Sequence, residues 1–308
     1  MEPVRLVSYR EAESKLERLG CLVDDCVYSL VDVCPSMMSL LRAGPEAMAR
    51  ARQAAAKVDS HVLVGRMGKI ELLAPVPRPE KLFALAGNYV EHIRESSRAK
   101  VTIMGETRRM TPRVFMKPPS TTVIGPEAPI GLGKTAHFVD YEVELAIVIG
   151  RQAKYVKAAQ AADHIAGYTI LNDISERQFQ VWERGDTAEW DKWFDWLNGK
   201  WGDGFAPMGP CLVPAADIAD PQDLRLCLRL NGDVMQSANT RDMIFNVYEI
   251  VEYVSHMCTL EPGDCIATGT PAGVGFARQP PVQLREGDVV EAEIQPIGVL
   301  RSRVQTET

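Results

Sequence analysis

The run Val143-Glu144-Leu145-Ala146-Ile147-Val148-Ile149-Gly150, entered through Val139-Asp140-Tyr141-Glu142, constrains this chain more than any other stretch. An apolar run of this length reads as a buried strand, so a sizeable core must surround it. Yet two glutamates stand at its start. Residues two apart on a strand share a face, so Glu142 and Glu144 project together. Asp173 closes a second apolar run, Tyr168-Thr169-Ile170-Leu171-Asn172. Carboxylates gathered beside a core repel one another and take up protons unless a cation compensates. Oxygen ligands without cysteine or histidine favour Mg²⁺, Mn²⁺ or Ca²⁺ over zinc. Glu142, Glu144 and Asp173 are therefore candidate metal ligands. A lone Glu-x-Glu is ordinarily the solvated face of an antiparallel strand, so the assignment depends on the rest of the chain.

With 308 residues the chain is long enough for two domains, a small α/β module over 1–76 and a larger one over 77–308. The N-terminal part offers strands at Val4–Tyr9, Cys26–Val33 and Ile70–Ala74. Helical patterns cover Ser36–Ala43 and Pro45–Val58, the second opening with proline in its first turn. Pro75 to Pro79 reads as a linker. Beyond it, strand-like runs follow at Leu82–Ala86, Val114–Lys117, Glu142–Ile149, Tyr168–Leu171, Leu224–Leu230, Cys265–Thr268 and Val289–Ile294. One clear helix covers Val247–Met257. Short strands separated by turn residues give a mainly β fold with α, closed or rolled.

A net charge of −7 with no long basic run argues against a nucleic-acid partner. No stretch of 18 apolar residues offers a membrane span. The seven cysteines are odd in number and show no Cys-x-x-Cys spacing, which fits reduced thiols in a cytoplasm. The first residues carry no charged-then-apolar targeting pattern.

Four further stretches carry chemistry: Asn88-Tyr89-x-x-His92-x-x-Glu95, Lys117-Pro118-Pro119-Ser120, Asn172-Asp173-x-x-x-Arg177 and Thr268-Gly269-Thr270-Pro271-x-Gly273-Val274-Gly275. His92 and Glu95, three apart, can hydrogen-bond on one helical turn, leaving the other imidazole nitrogen to take a proton. A helical turn after Asp173 would put Arg177 and Gln180 on its face. A glycine-rich turn lets backbone N–H groups approach an anion.

In that order, with Glu142-x-Glu144, these stretches resemble the fumarylacetoacetate hydrolase family, in particular its acylpyruvase-like members, over about residues 76–304. The resemblance implies a mixed β-roll, barrel-like catalytic domain and a homodimer. It implies Mg²⁺ or Mn²⁺ at Glu142, Glu144 and Asp173, with Ca²⁺ also admitted. It casts His92 and Glu95 as a water-activating pair and Lys200, in Asn198-Gly199-Lys200, as the cation that polarises a carbonyl. Arg177 and Gln180 join the site, with Gln180 touching substrate, and the loop of Gly269 and Thr270 holds the substrate carboxylate. The segment from Ser96 through Arg109 is polar and reads as a lid.

Three carboxylates (−3) and a dication (+2) leave −1 and open coordination positions, which suits a bidentate 2-oxo acid. As a Lewis acid on the keto oxygen, the cation would stabilise the pyruvate enolate left when the bond beta to it breaks. The expected activity is thus hydrolysis of the C–C bond in acylpyruvate-type β-diketo acids. The alternatives on the same scaffold are oxaloacetate decarboxylation, 2-oxo acid isomerisation, including keto–enol exchange, and a ureidoglycolate-type elimination. A metal-binding protein without turnover is the rival from another class.

Two features depart from the family pattern. The strand before His92 offers only Ala84, Leu85 and Ala86, so a fourth acidic ligand is not expected. All five tryptophans, Trp182, Trp190, Trp193, Trp196 and Trp201, fall between 182 and 201, the first four in an insertion between Gln180 and Lys200 and Trp201 directly after that lysine. They form either a local core or dimer contact, or an aromatic wall for the substrate's tail.

Overall fold

The computed structural model describes residues 2–96 and 110–307. The strand Val143–Ile149 is buried at every position. Val143, Leu145, Ile147 and Ile149 join one apolar core, whereas Ala146 and Val148 join another. The run lacks polar alternation because both of its faces are covered. It pairs antiparallel with Ile165–Asn172 on one side and Cys265–Ala267 on the other. Leu82–Ala86 adds in parallel to Cys265–Ala267, and Arg113–Met116 follows antiparallel. On the opposite flank Ile165–Asn172 pairs with Ala206–Pro214, which meets Leu6–Arg10. Glu17–Val23, Cys26–Ser29 and Leu63–Arg66 continue the order.

Among the described residues this gives one twelve-stranded sheet, with a five-stranded sheet sharing its first core. The second sheet runs Asp233–Asn239, Arg225–Leu230, Val289–Ile294, Gly298–Thr306 and Ile130–Leu132. The fold is mainly β with α, as expected, but the strand order is an open path and not a closed barrel. The boundary expected at residue 76 is crossed by hydrogen bonding and packing alike. Leu6 pairs with Leu212, and Leu6, Leu19 and Met37 share a core with Leu82, Ala84 and Met208.

The helix Val247–Met257 shows why some elements are legible. Asn246 accepts from the N–H groups of Tyr248 and Glu249 at 3.0 Å each, and the Glu249 carboxylate accepts from Asn246 N–H at 2.9 Å. This reciprocal cap precedes a buried face of Val247, Ile250, Val251 and Val254. By contrast, the buried strand Ala206–Pro214 escapes sequence reading, because Pro207, Pro210 and Pro214 argue against a central strand. Glu17–Val23, Asp233–Asn239 and Gly298–Thr306 were likewise unsignalled. The tryptophan insertion contains a helix, Glu189–Asn198, whose Asp191 carboxylate accepts from Ala188 N–H at 3.1 Å.

Candidate active site

Two antiparallel strands bring the acids together. The register pairs Glu144 with Leu171 and Val143 with Asn172, so the start of one strand lies beside the end of the other. Asn172 Oδ1 accepts from Glu142 N–H at 2.8 Å, and Glu142 O accepts from Asp173 N–H at 2.8 Å. One carboxylate oxygen from each of Glu142, Glu144 and Asp173 lies within 4.8 Å of the others, and all three residues are buried.

Buried cations surround this group. Lys200 Nζ donates to Glu142 Oε2 at 2.7 Å and to Asp173 Oδ2 at 2.8 Å. Lys117 Nζ donates to Asp173 Oδ1 at 2.5 Å and to Ile174 O at 3.2 Å. Arg177 spans Asp140, at 3.0 Å, and Glu142. Burial opposes the charge of Lys200, but Asp173 and Glu142 outweigh it and hold the ammonium above its ordinary range. For Lys117 burial wins and pushes its pKa down. Burial would raise Glu142, yet Lys200, Arg177 and His92 hold it well below the usual carboxylate range.

Glu144 goes the other way. Burial first, then the neighbouring Asp173 and Glu142, push it well above that range. Its Oε2 accepts from Gly269 N–H at 2.6 Å, while its buried Oε1 has no hydrogen-bond partner. An unpartnered buried carboxylate oxygen beside two more acids fits a hard divalent cation. Glu142, Glu144 and Asp173 would hold it.

Linkage follows from this placement. A carboxyl with a raised folded pKa stabilises the fold below its unfolded value of about 4.5, and that contribution is lost as pH rises through the folded value. Cation binding must displace the same proton. Mg²⁺ or Mn²⁺ should therefore bind more weakly as pH falls toward 4.5, and should release a proton on binding. Calorimetry in two buffers of different ionisation enthalpy measures that proton. Affinity independent of pH, with no proton released, would exclude Glu144 as a ligand.

The glycine-rich loop serves these acids. Gly269 has φ +91°, and a Cβ there would lie 2.7 Å from Asn88 Cβ. Gly273 has φ +106°, and a Cβ would meet Met235 O at 2.2 Å. Both positions thus require glycine. Gly273 N–H donates to Glu95 Oε2 at 2.9 Å, and Glu95 Oε1 lies 2.9 Å from His92 Nδ1. The expected pair therefore forms, on the helix Val90–Ser96, and the loop fixes its orientation. Asp140 accepts from the N–H groups of Gly275 and Phe276 at 2.7 and 3.0 Å.

A cavity of about 590 Å³ opens on this centre, lined by His92, Glu142, Arg177, Lys200 and Thr270 at its polar end. Thr270 Oγ1 donates to Val143 O at 3.0 Å and accepts from Gln236 Nε2 at 2.8 Å.

Two expected substrate contacts are placed differently. Gly269 is buried and commits its N–H to Glu144, so it braces that carboxylate instead of lining the cavity. Gln180 is exposed, outside the cavity wall, and its Nε2 donates to Trp182 O at 2.8 Å. The chain after Asp173 is a short strand, Ser175–Glu176, and not a helical turn, so the spacing that would align Gln180 with Arg177 does not exist.

Lys117 and Asp140 have no assigned role in the sequence reading. Their burial could not be inferred from a Lys-Pro-Pro stretch or from an acid outside the Glu-x-Glu pattern. His137 is exposed, and His61, His164 and His256 bond backbone carbonyls. All seven cysteines are unpaired. Apart from Ser96, the proposed lid lies outside the described residues.

Residues 81–305 match the family model described as fumarylacetoacetate (FAA) hydrolase, C-terminal. The chain belongs to the fumarylacetoacetate hydrolase family. It is 40% identical over 269 residues to the mitochondrial oxaloacetate tautomerase FAHD2A of Bos taurus, covering 87% of this chain and 79% of that protein. It is similar to the solved fumarylacetoacetate hydrolase of Exiguobacterium antarcticum, with TM-score 0.79, 30% identity, and coverage of 99% and 100%. It is also similar to maleylpyruvate hydrolase of Sphingobium, solved with manganese(II) and pyruvate, with TM-score 0.76, 26% identity, and coverage of 99% and 100%. The family thus includes tautomerases and hydrolases, and a manganese-binding member shares this fold.

Proposed function

We propose that this chain is a divalent-cation-dependent enzyme acting on 2-oxo acids, with keto–enol exchange of oxaloacetate-type compounds as its reaction. The observation that carries this reading is one pair, His92 held by Glu95, lining the same cavity as Glu142 of the Glu142–Glu144–Asp173 cluster. The tautomerase named above, 40% identical, supports it. When bound, Mg²⁺ or Mn²⁺ supplies Lewis acidity to the substrate's keto oxygen.

The chain's own residues do the rest. Glu95 accepts the Nδ1–H of His92, so Nε2 is the basic nitrogen. It takes a proton from the carbon next to the keto group while the enolate oxygen gains one from solvent, and both transfers run backward from enol to keto. Lys200 sets positive charge where negative charge develops on the oxygen. Four buried carboxylates, Asp140, Glu142, Glu144 and Asp173, face three cations, Lys117, Arg177 and Lys200. A dication turns that balance of −1 into +1, which favours an anionic substrate.

Hydrolysis of acylpyruvates is the second reading. The same His92 nitrogen can take its proton from water, and the similarity to maleylpyruvate hydrolase favours this. Product analysis separates the two. With Mg²⁺, a tautomerase should speed the decay of oxaloacetate enol absorbance by at least about 10²-fold without new compounds in the NMR spectrum. A hydrolase should convert acetylpyruvate to acetate and pyruvate. Pyruvate formed from oxaloacetate marks decarboxylation instead. Inertness toward both compounds would sink the proposal.

A further inference from the structure

The polar end of the cavity accounts for only part of it. Pockets of about 300–1,000 Å³ hold drug-sized ligands, so a four-carbon acid leaves most of 590 Å³ unfilled. The remaining wall is mostly apolar, with Ile93, Phe115, Trp193, Trp196 and Phe276, and carries Ser96 and Arg113 besides. Trp193 and Trp196 are three apart on the helix Glu189–Asn198, so they present one face. Phe115, from the neighbouring strand, meets Trp196 edge-on with ring centroids 5.1 Å apart.

This wall begins at the chemical centre. Lys200 Nζ lies 5.4 Å from the Phe115 centroid and 5.6 Å from that of Trp196. Trp193 is half exposed, with Trp190 stacked on it at 6.1 Å and 21°. Trp182, 76% exposed, does not line the cavity.

We infer that the substrate carries a flat apolar or aromatic substituent, distal to its 2-oxo acid group, seated against Trp193, Trp196 and Phe115. This rests on the 2-oxo acid reading above and names the substrate class within it. Edge and stacked ring contacts add to area burial, so a ring should gain affinity here that a small acid cannot.

The test compares oxamate with N-phenyloxamate, which differ by one ring, binding to the Mg²⁺-loaded chain by calorimetry. N-phenyloxamate should bind at least about 10-fold tighter. In Trp193→Ala the advantage should shrink to less than about 3-fold, whereas Trp182→Ala should keep it. Equal affinities in the parent chain overturn the inference and need no variant to fold. An unchanged ratio in Trp193→Ala, with loss of self-association, assigns the tryptophan to a contact between copies and also overturns it. Ring preference without turnover of any 2-oxo acid would defeat the proposed reaction and leave this inference standing. Turnover of oxaloacetate without ring preference does the reverse.

Discussion

Asp173→Asn should leave a folded chain that binds Mg²⁺ or Mn²⁺ more than about 100-fold more weakly and shows no turnover. Losing even an outer partner of a metal ligand typically costs about 10–100-fold, and Asp173 is proposed as a ligand itself. It also accepts from both Lys117 and Lys200, which are nearly inaccessible. For that reason Asp173→Ala is the harsher change. Removing one partner of a buried pair typically destabilises by about 3–5 kcal/mol. The amide variant keeps the shape and one acceptor oxygen while removing the charge, so only one of the two lysines loses its acceptor. Calorimetric titration with Mn²⁺ and a thermal melt measure the two effects separately. Chelation of the parent enzyme with EDTA should abolish activity, and Mg²⁺ or Mn²⁺ should restore it. Full activity in metal-free protein, or unaltered Mn²⁺ affinity in the variant, would refute the assignment of these carboxylates.

His92→Ala should lower kcat by about 10²–10⁴-fold, the usual worth of general acid–base help. Metal affinity should change far less, because His92 contributes no ligand atom to the acidic cluster. Its partner provides a finer test. Glu95 accepts from both His92 Nδ1–H and Gly273 N–H, so Glu95→Gln keeps the side-chain length but offers an acceptor to only one of them. Activity in Glu95→Gln should fall less than in His92→Ala, because the imidazole itself remains in place. A His92→Ala enzyme working at the parent rate would remove the proton-transfer role.

The elements that could be read from sequence are those whose stabilising pattern is local. Val247–Met257 carries its own cap and its own apolar face, and Pro45–Ala55 opens with proline and buries alanines four positions apart, Ala47, Ala51 and Ala55. Leu82–Ala86 and Val289–Ile294 stand as apolar or alternating runs between turn residues. Ala206–Pro214 could not be read this way. Its prolines are tolerated because of what its neighbours supply, and a sequence does not show a neighbour 40 residues distant. The same holds for the N-terminal strands, which look separate in composition yet extend the large sheet through Leu6–Arg10.

The sequence by itself determined the acidic trio and the pairing of His92 with Glu95. Glu142 and Glu144 follow from strand period and His92 and Glu95 from helix period, both properties of a few consecutive residues. It also determined that every tryptophan falls within 182–201, the segment that contains Lys200. Tertiary structure alone decided which cations balance the acids. Lys117, 56 positions from Asp173, becomes its partner only when the sheet closes over it. Tertiary structure also turned the N–H groups of Gly269 and Gly273 toward Glu144 and Glu95 and left Gln180 outside. It carried Trp193 and Trp196, but not Trp182, onto the cavity wall. The physical reason is range. Backbone periodicity acts over one or two turns, whereas the compensation of buried charge depends on which distant groups packing brings within a few ångströms.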